Sequence, residues 1–242
     1  MDKSNKNSKS DSGVRINKFL SEAGLCSRRE ADRLIEGGQI LIDGRIAVMG
    51  DKVLEHNKVI YKGKTISKEQ ELILLAFNKP RGVVCTTSNK QNKINIVDYI
   101  NYDKRIYPVG RLDKDSEGLI LMTNDGDLVN KILKGSNYHE KEYIVKVNRP
   151  ITDDFIKRMS SGIPILDTVT RECYIEKLSK YEFKIILTQG LNRQIRRMCE
   201  YLGYRVVQLK RIRIMNILLA DLKLGTYRKV SDKEYEELIK KL

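Results

Sequence analysis

"CYIEKLSKYEFKIIL", residues 173–187, holds two runs of strand character, CYIEKL and FKIIL, separated by a short polar break. Such a break can fold the chain back into an antiparallel pair. It cannot hold the crossover of a dozen or more residues that parallel neighbours need. The same succession extends outward: strand-like LILLAF (72–77), GVVCTT (82–87), GLILMT (118–123), YIVKV (143–147) and RVVQLKRIRI (205–214) stand against helical DLVNKILK (127–134), DDFIKRMSS (153–161), NRQIRRMCEYL (192–202) and DKEYEELIKKL (232–242). Residues 73–242 therefore read as an α+β domain with a mixed, largely antiparallel sheet and flanking helices, not as a doubly wound parallel sheet. Ser231 and Glu234 form a capping box at the last helix and need no functional explanation.

Upstream, VRINKFLSEAGLCSRREADRLIEGGQILIDGRIAV (14–48) punctuates itself. Ile16, Phe19, Leu20 and Ala23 line one helix face, and Gly24 ends that helix. Ser27 and Glu30 form a capping box for a second helix starting at Arg28, with Ala31, Leu34 and Ile35 inward until Gly37-Gly38. Arg28 and Arg29 become the first helical positions, where free backbone N–H groups favour a phosphate. Solvated surface is the competing reading. QILI and RIAV around Asp43-Gly44 predict a hairpin. A small domain is expected over residues 14–72, ending in the charged linker KGKTISKEQEL, with residues 1–13 a disordered polar head.

Charge narrows the partner. The 242 residues carry 46 Lys+Arg against 32 Asp+Glu, a net +14, which favours a polyanion such as nucleic acid. Seven of these cations (193, 196, 197, 205, 210, 211, 213) and one acid, Glu200, fall between Thr188 and Met215. Alternation along RVVQLKRIRI puts Arg205, Val207, Leu209, Arg211 and Arg213 on one face, which predicts a cationic side. Cysteines 26, 85, 173 and 199 are scattered and only two histidines exist, so neither a disulfide framework nor a metal site is expected. No stretch approaches 18 consecutive apolar residues and the head lacks an apolar core, so a soluble cytoplasmic protein with no membrane contact is expected. The last predicted helix reaches the end of the sequence, so no basic C-terminal extension is expected and affinity should rest more on the small domain.

Four acids crowd into VGRLDKDSEGLILMTNDGD (109–127). Asp125 belongs to a turn before a helix, and Glu117 and Asp115 look like loop residues. Leu112 and Arg111 suggest that Asp113 is partly enclosed and charge-paired, but local sequence does not separate it from Asp115.

RINKFLSEAGLCSRREADRLIEGGQILIDG resembles the S4 RNA-binding domain, which implies RNA contact through Lys18, Arg28, Arg29 and Arg33. GRLDKDSEGLILMTNDG, with LAFNKPRGVVCTT upstream and HEKEYIVKV and GLNRQIRRMCEYLGYRVVQLKRIRI downstream, resembles the RsuA/RluB/RluE/RluF branch of pseudouridine synthases over about residues 14–235, nearest its RluF group. The resemblance implies uridine-to-pseudouridine isomerisation in ribosomal RNA, at a stem-loop of 23S RNA, by a monomer without cofactor or metal. It selects Asp113 as nucleophile or base at the ribose, by a covalent C1′ adduct or a glycal, two routes that stay open. A carboxylate working beneath a bound nucleotide needs a fixed cation, because burial raises a carboxyl pKa and an adjacent arginine lowers it. By resemblance that cation is Arg196, and Tyr143 is the aromatic that stacks on the target base. Arg111, Asn192, Arg193, Gln194, Arg197 and Leu209 are the expected substrate contacts. A noncatalytic RNA-binding or ribosome-assembly factor is the alternative, and hydrolysis of an N-glycosidic bond is a second.

Overall fold

The computed structural model describes residues 13–68, 71–87 and 94–242. The expected disordered head lies outside the described residues except for Gly13. The chain divides into two compact units, Met1–Leu72 and Ile73–Leu242.

In the first unit, helices α1 (Ile16–Glu22) and α2 (Arg28–Glu36) pack over a four-stranded antiparallel sheet around Ile16, Leu20, Ala31, Ile35 and Ile40. The hairpin turns where expected: Asp43 (φ 49°) and Gly44 (φ 86°) both take the left-handed backbone that a two-residue hairpin turn requires. The α2 capping box forms only by half. Ser27 Oγ accepts the Glu30 N–H at 3.2 Å, while the Glu30 carboxylate pairs with Arg33 one turn on.

The second unit is built on seven main strands: β1 (Leu74–Lys79), β2 (Glu117–Thr123), β3 (Lys141–Val147), β4 (Tyr174–Lys177), β5 (Glu182–Leu187), β6 (Val206–Ile214) and β7 (Tyr227–Lys229). Their order is β4-β5-β3-β6-β2-β1-β7. All neighbours are antiparallel except β6 and β2, which run parallel, so the α+β reading holds. Alternate residues of the central strands fill two cores. Leu75, Phe77, Ile120 and Met122 face one side with α5 (Asp153–Ser160) and α6 (Gln194–Tyr201); Leu74, Ala76, Leu119 and Leu121 face the other with α4 (Gly126–Leu133) and α7 (Asp232–Lys240). Each such fully buried aliphatic or aromatic side chain contributes about 1.5–3 kcal/mol. The remaining main helix, α3 (Ile96–Ile100), is short and was not predicted.

Two expectations change. GVVCTT is not a strand: Val83 and Cys85 are buried from an irregular segment in which Val84 makes only an isolated bridge to Asn95. The cationic face of β6 does not exist as drawn. The pairing with β3 skips Val207 and Ile212, two bulges that reset the alternation. Val207 turns outward, while Leu209 and Arg211 are buried and Arg213 pairs with Glu140 and Glu142. The parallel contact also fixes a residue type. Gly118 lies opposite Arg211 at φ 104°, and a Cβ there would meet the Arg211 carbonyl oxygen at 2.2 Å. Among the described residues no helix is long and apolar enough to cross a membrane, and the four cysteines are free.

Candidate active site

The loop that enters β2 carries Asp113 and is tied down from several directions. Leu112 is buried with its N–H 3.4 Å from Cys85 Sγ, the Ser116 N–H donates to the Asp113 carbonyl at 3.0 Å, and the Gly82 N–H donates to the Lys114 carbonyl at 2.8 Å. Arg81 donates to the carbonyls of Asp115 and Val207 at 3.1 and 3.2 Å, which joins this loop to β6. A strand interior preceded by a turn so constrained fixes where the carboxylate points.

Two arginines converge on it. Arg193 adopts a left-handed backbone (φ 50°) immediately before α6, and its Nη1 lies 3.7 Å from Asp113 Oδ2. Arg196, on the first turn of α6, places Nε 3.8 Å from the same oxygen. Both distances exceed a hydrogen bond, so the pairs are Coulombic and leave the carboxylate lone pairs open. The Arg196 head is otherwise held: Nη2 donates to the Asp115 carbonyl at 3.0 Å and to Ser116 Oγ at 3.2 Å, and Nη1 approaches the Val206 carbonyl at 3.5 Å. Burial, and then the neighbouring Arg193, pull its pKa below the ordinary value while Asp113 opposes them. An arginine nevertheless stays charged at neutral pH. Its Nε is buried without a hydrogen-bond partner among the described residues and faces the carboxylate.

Asp113 and Arg196 border a cavity of about 440 Å³, within the range of small-ligand sites. Tyr143, Leu209 and Arg211 line it from the sheet, Ile132 and Leu133 from α4, and Gln189 and Asn192 from the segment before α6. Tyr143 is buried to 8% exposure, with the Arg211 guanidinium 6.0 Å from its ring centre. Lys141, two residues earlier on β3 and thus on the same strand face, also lines the cavity and donates to the His139 carbonyl at 3.1 Å. Burial, reinforced by Arg211, brings the Lys141 ammonium down to about 8.

Asp113, Tyr143, Arg196, Arg111, Asn192, Arg193, Gln194 and Leu209 all line this one cavity. Some expected roles change within it. The Asp113 ion-pair partners among the described residues are Arg193 and Arg196, not the adjacent Arg111. Gln194 is buried and directs its amide inward, accepting from the Leu191 N–H at 3.0 Å, so it shapes the wall. Arg197 lies outside the lining and braces Asn192 through a 3.1 Å bond to its carbonyl. Asp115 is exposed and contributes its backbone carbonyl instead of its carboxylate.

Lys18, Arg28, Arg29 and Arg33 belong to the first unit. Arg28 and Arg29 are exposed at the start of α2, Lys18 pairs with Glu22 at 3.5 Å, and Arg33 pairs with Glu30. Sequence reasoning missed Lys141 and Arg211 as cavity residues. It also missed Lys79, which is fully buried with Nζ bonded to the carbonyls of Pro80 and Val83 at 2.8 and 2.9 Å.

A family model described as RNA pseudouridylate synthase matches residues 73–201, and an S4 domain model matches residues 14–59. The chain is 53% identical over 232 residues to a dual-specificity RNA pseudouridine synthase RluF of Salmonella typhi, covering 95% of this chain and 80% of that one. It is 32% identical to the ribosomal large subunit pseudouridine synthase B of Bacillus subtilis, over 93% of this chain and 95% of that one. A crystal structure of a pseudouridylate synthase superposes with a TM-score of 0.69 at 27% identity, covering 93% of this chain and 99% of the other.

Proposed function

The chain belongs to the RNA pseudouridylate synthase family, and from that membership we infer that it isomerises a uridine of ribosomal RNA to pseudouridine with Asp113 acting at the ribose. The observation that carries the assignment is the meeting of the Asp113 carboxylate with Arg193 and Arg196, at 3.7 and 3.8 Å, on the border of a cavity lined by Tyr143 and Leu209.

The reaction breaks the bond from uracil N1 to ribose C1′, turns the base over and joins C5 to C1′. Substrate and product are isomers, so the balance requires no oxidant, reductant or hydrolytic water. Asp113 supplies the oxygen that meets the sugar, either bonding to C1′ or taking the C2′ proton. Arg196 sets a fixed positive charge 3.8 Å from the carboxylate that either route uses. Tyr143 offers its ring to the base, and Leu209 closes the apolar side of the cavity.

The target must leave its stack to reach Asp113, at a cost of a few kcal/mol that is smallest where pairing is already poor. A stem-loop or bulge of 23S RNA is therefore the proposed substrate. Arg111, Asn192 and Arg193 on the cavity wall would contact its backbone, with the exposed Arg28 and Arg29 of the S4 domain holding phosphates elsewhere. The enzyme is proposed to work as a cytoplasmic monomer.

Ribosomal RNA from cells lacking this gene provides the test. Incubation with the wild-type chain should create a carbodiimide-reactive pseudouridine at one 23S stem-loop position, and incubation with Asp113→Asn should not. Equal modification by both proteins refutes the role of Asp113; RNA binding without product by the wild type refutes the catalytic reading.

A further inference from the structure

We propose that Arg211, seconded by Lys141, forms a subsite for the pyrimidine base itself, donating to a uracil carbonyl oxygen and holding the negative charge that the base acquires when its bond to the sugar breaks. This inference rests on the proposed function and deepens it: Asp113 handles the sugar, and this pair handles the leaving base.

Arg211 is only 4% exposed, yet its Nη2 is a buried donor with no hydrogen-bond partner among the described residues. Its position is fixed from behind, by a 2.6 Å bond from Nε to the Leu119 carbonyl and by the backbone packing against Gly118. Two other arginines of this unit with little exposure face acids: Arg196 faces Asp113, and Arg213 is neutralised by Glu140 and Glu142. No carboxylate among the described residues makes an ion pair with Arg211. Lys141 adds a second cation to the same cavity, with Nζ bonded among the described residues to a neutral carbonyl, that of His139. Two like charges drawn out of water beside each other are unfavourable unless something answers them. A fixed, partly desolvated cation facing a cavity is the arrangement that stabilises charge appearing only during a reaction.

The proposed chemistry supplies that charge. As the C1′–N1 bond breaks, its electron pair stays on the base and spreads over N1, O2 and O4. The sugar is satisfied either by a new bond to Asp113 or by loss of the C2′ proton to Asp113 with formation of a C1′–C2′ double bond. Both routes release the same uracil anion, so the subsite serves either. When C5 then bonds to C1′, either the Asp113–C1′ bond breaks and frees the carboxylate, or the C1′–C2′ double bond opens as C2′ takes its proton back from Asp113; C5 gives up its proton, N1 gains one, and the charge on the base disappears. A base laid against the Tyr143 ring lies beside the guanidinium, since that group is 6.0 Å from the ring centre.

The experiment uses Arg211→Met, which keeps an unbranched apolar stem and loses the guanidinium, and Lys141→Met, which removes the ammonium in the same way. Each is compared with the wild type in single-turnover assays at saturating enzyme, on one stem-loop RNA carrying either uridine or 5-fluorouridine at the target. Fluorine withdraws electrons from the ring, so the departing base needs less help. Arg211→Met should lower the rate on uridine about 100-fold or more while RNA affinity changes less than about 3-fold, and the defect on glycosidic cleavage should shrink at least about 5-fold with 5-fluorouridine. Lys141→Met should show the same pattern at about 10-fold. If Arg211→Met fails to fold by circular dichroism, the Lys141→Met result decides. Equal defects on both RNAs, a loss confined to affinity, or undiminished rates would overturn the proposal. A wild-type chain that forms no pseudouridine refutes the proposed function, whereas an active wild type with unaffected variants refutes only this subsite.

Discussion

In the first unit Arg28, Arg29 and Arg33 stand exposed on one short helix, whereas in the second Arg196 and Arg211 are buried, fixed by backbone carbonyls, and border a cavity. The residue type is the same and the physics differs. An exposed guanidinium keeps its hydration and is screened by salt within about 8–10 Å, so it contributes attraction to a polyanion with little geometric demand. A buried one has lost its water and acts on whatever lies within a few ångströms, at low local dielectric. Under the proposed function, charge that gathers RNA and charge that governs the reaction differ by burial, which composition alone does not report.

The largest expected effect tests the buried set. Asp113→Asn should abolish product formation, a loss of at least about 10⁴-fold, equivalent to about 5.5 kcal/mol, measured by single-turnover pseudouridine release. RNA affinity and thermal midpoint should stay nearly unchanged, since this half-exposed carboxylate makes only long Coulombic contacts. A comparable loss of affinity would break the distinction between the two sets of arginines.

Gly118→Ala comes next. A Cβ at 2.2 Å from the Arg211 carbonyl forces the β2–β6 contact apart, and the expected loss is about 3 kcal/mol or more of the second unit's stability. Calorimetry should show that unit's transition falling while the first unit's transition stays in place. Loss of both together would show that the cores melt as one.

The exposed set should respond more mildly. Replacing Arg28 and Arg29 by alanine together should weaken stem-loop binding about 10-fold and reduce the salt slope by about 1.4 log units per log unit of salt, as expected for two lost phosphate contacts. The rate at saturating enzyme should be retained. A fall in that rate would place these arginines in the chemistry.

The smallest effect lies outside the cavity lining. Glu234 caps α7 and pairs with Arg228 at 2.7 Å, and the Arg228 guanidinium with the Ser231 bonds holds its carboxyl down to about 2. An unfolded glutamate titrates near 4.3, so the contribution is present above that value and disappears as pH falls toward about 2. Glu234→Gln should cost about 1 kcal/mol at pH 7, with the difference from wild type vanishing near pH 2 in denaturant titrations.

Much of this was legible beforehand, and the exceptions have a common cause. The Ser27 cap, Asp43-Gly44 and the alternating runs act within a few residues of themselves, so the first unit and most strands could be read. GVVCTT could not be separated from a strand, because an apolar run shows burial without showing which partner it pairs with. The bulges at Val207 and Ile212 depend on the register of β3, some sixty residues away, and they turned Arg211 from an expected surface cation into a buried one. Asp113 and Asp115 were locally indistinguishable. They differ because α6, which begins at Gln194, brings its arginine to the carboxylate of one and the carbonyl of the other.

The parallel pairing of Lys210 with Glu117 and Arg211 with Gly118 closes a span of more than ninety residues. Arg193 and Arg196 precede β6 in the chain, but only when β6 has emerged from the translating ribosome can the cavity gain the wall that Leu209 and Arg211 supply. A nascent chain stopped before Val206 would already carry the S4 domain and could grip RNA, yet would lack the assembled reaction centre. Catalytic competence under the proposed function is in this sense acquired only once β6 has been made, and fragments ending before it should behave as competitors of chains that carry it.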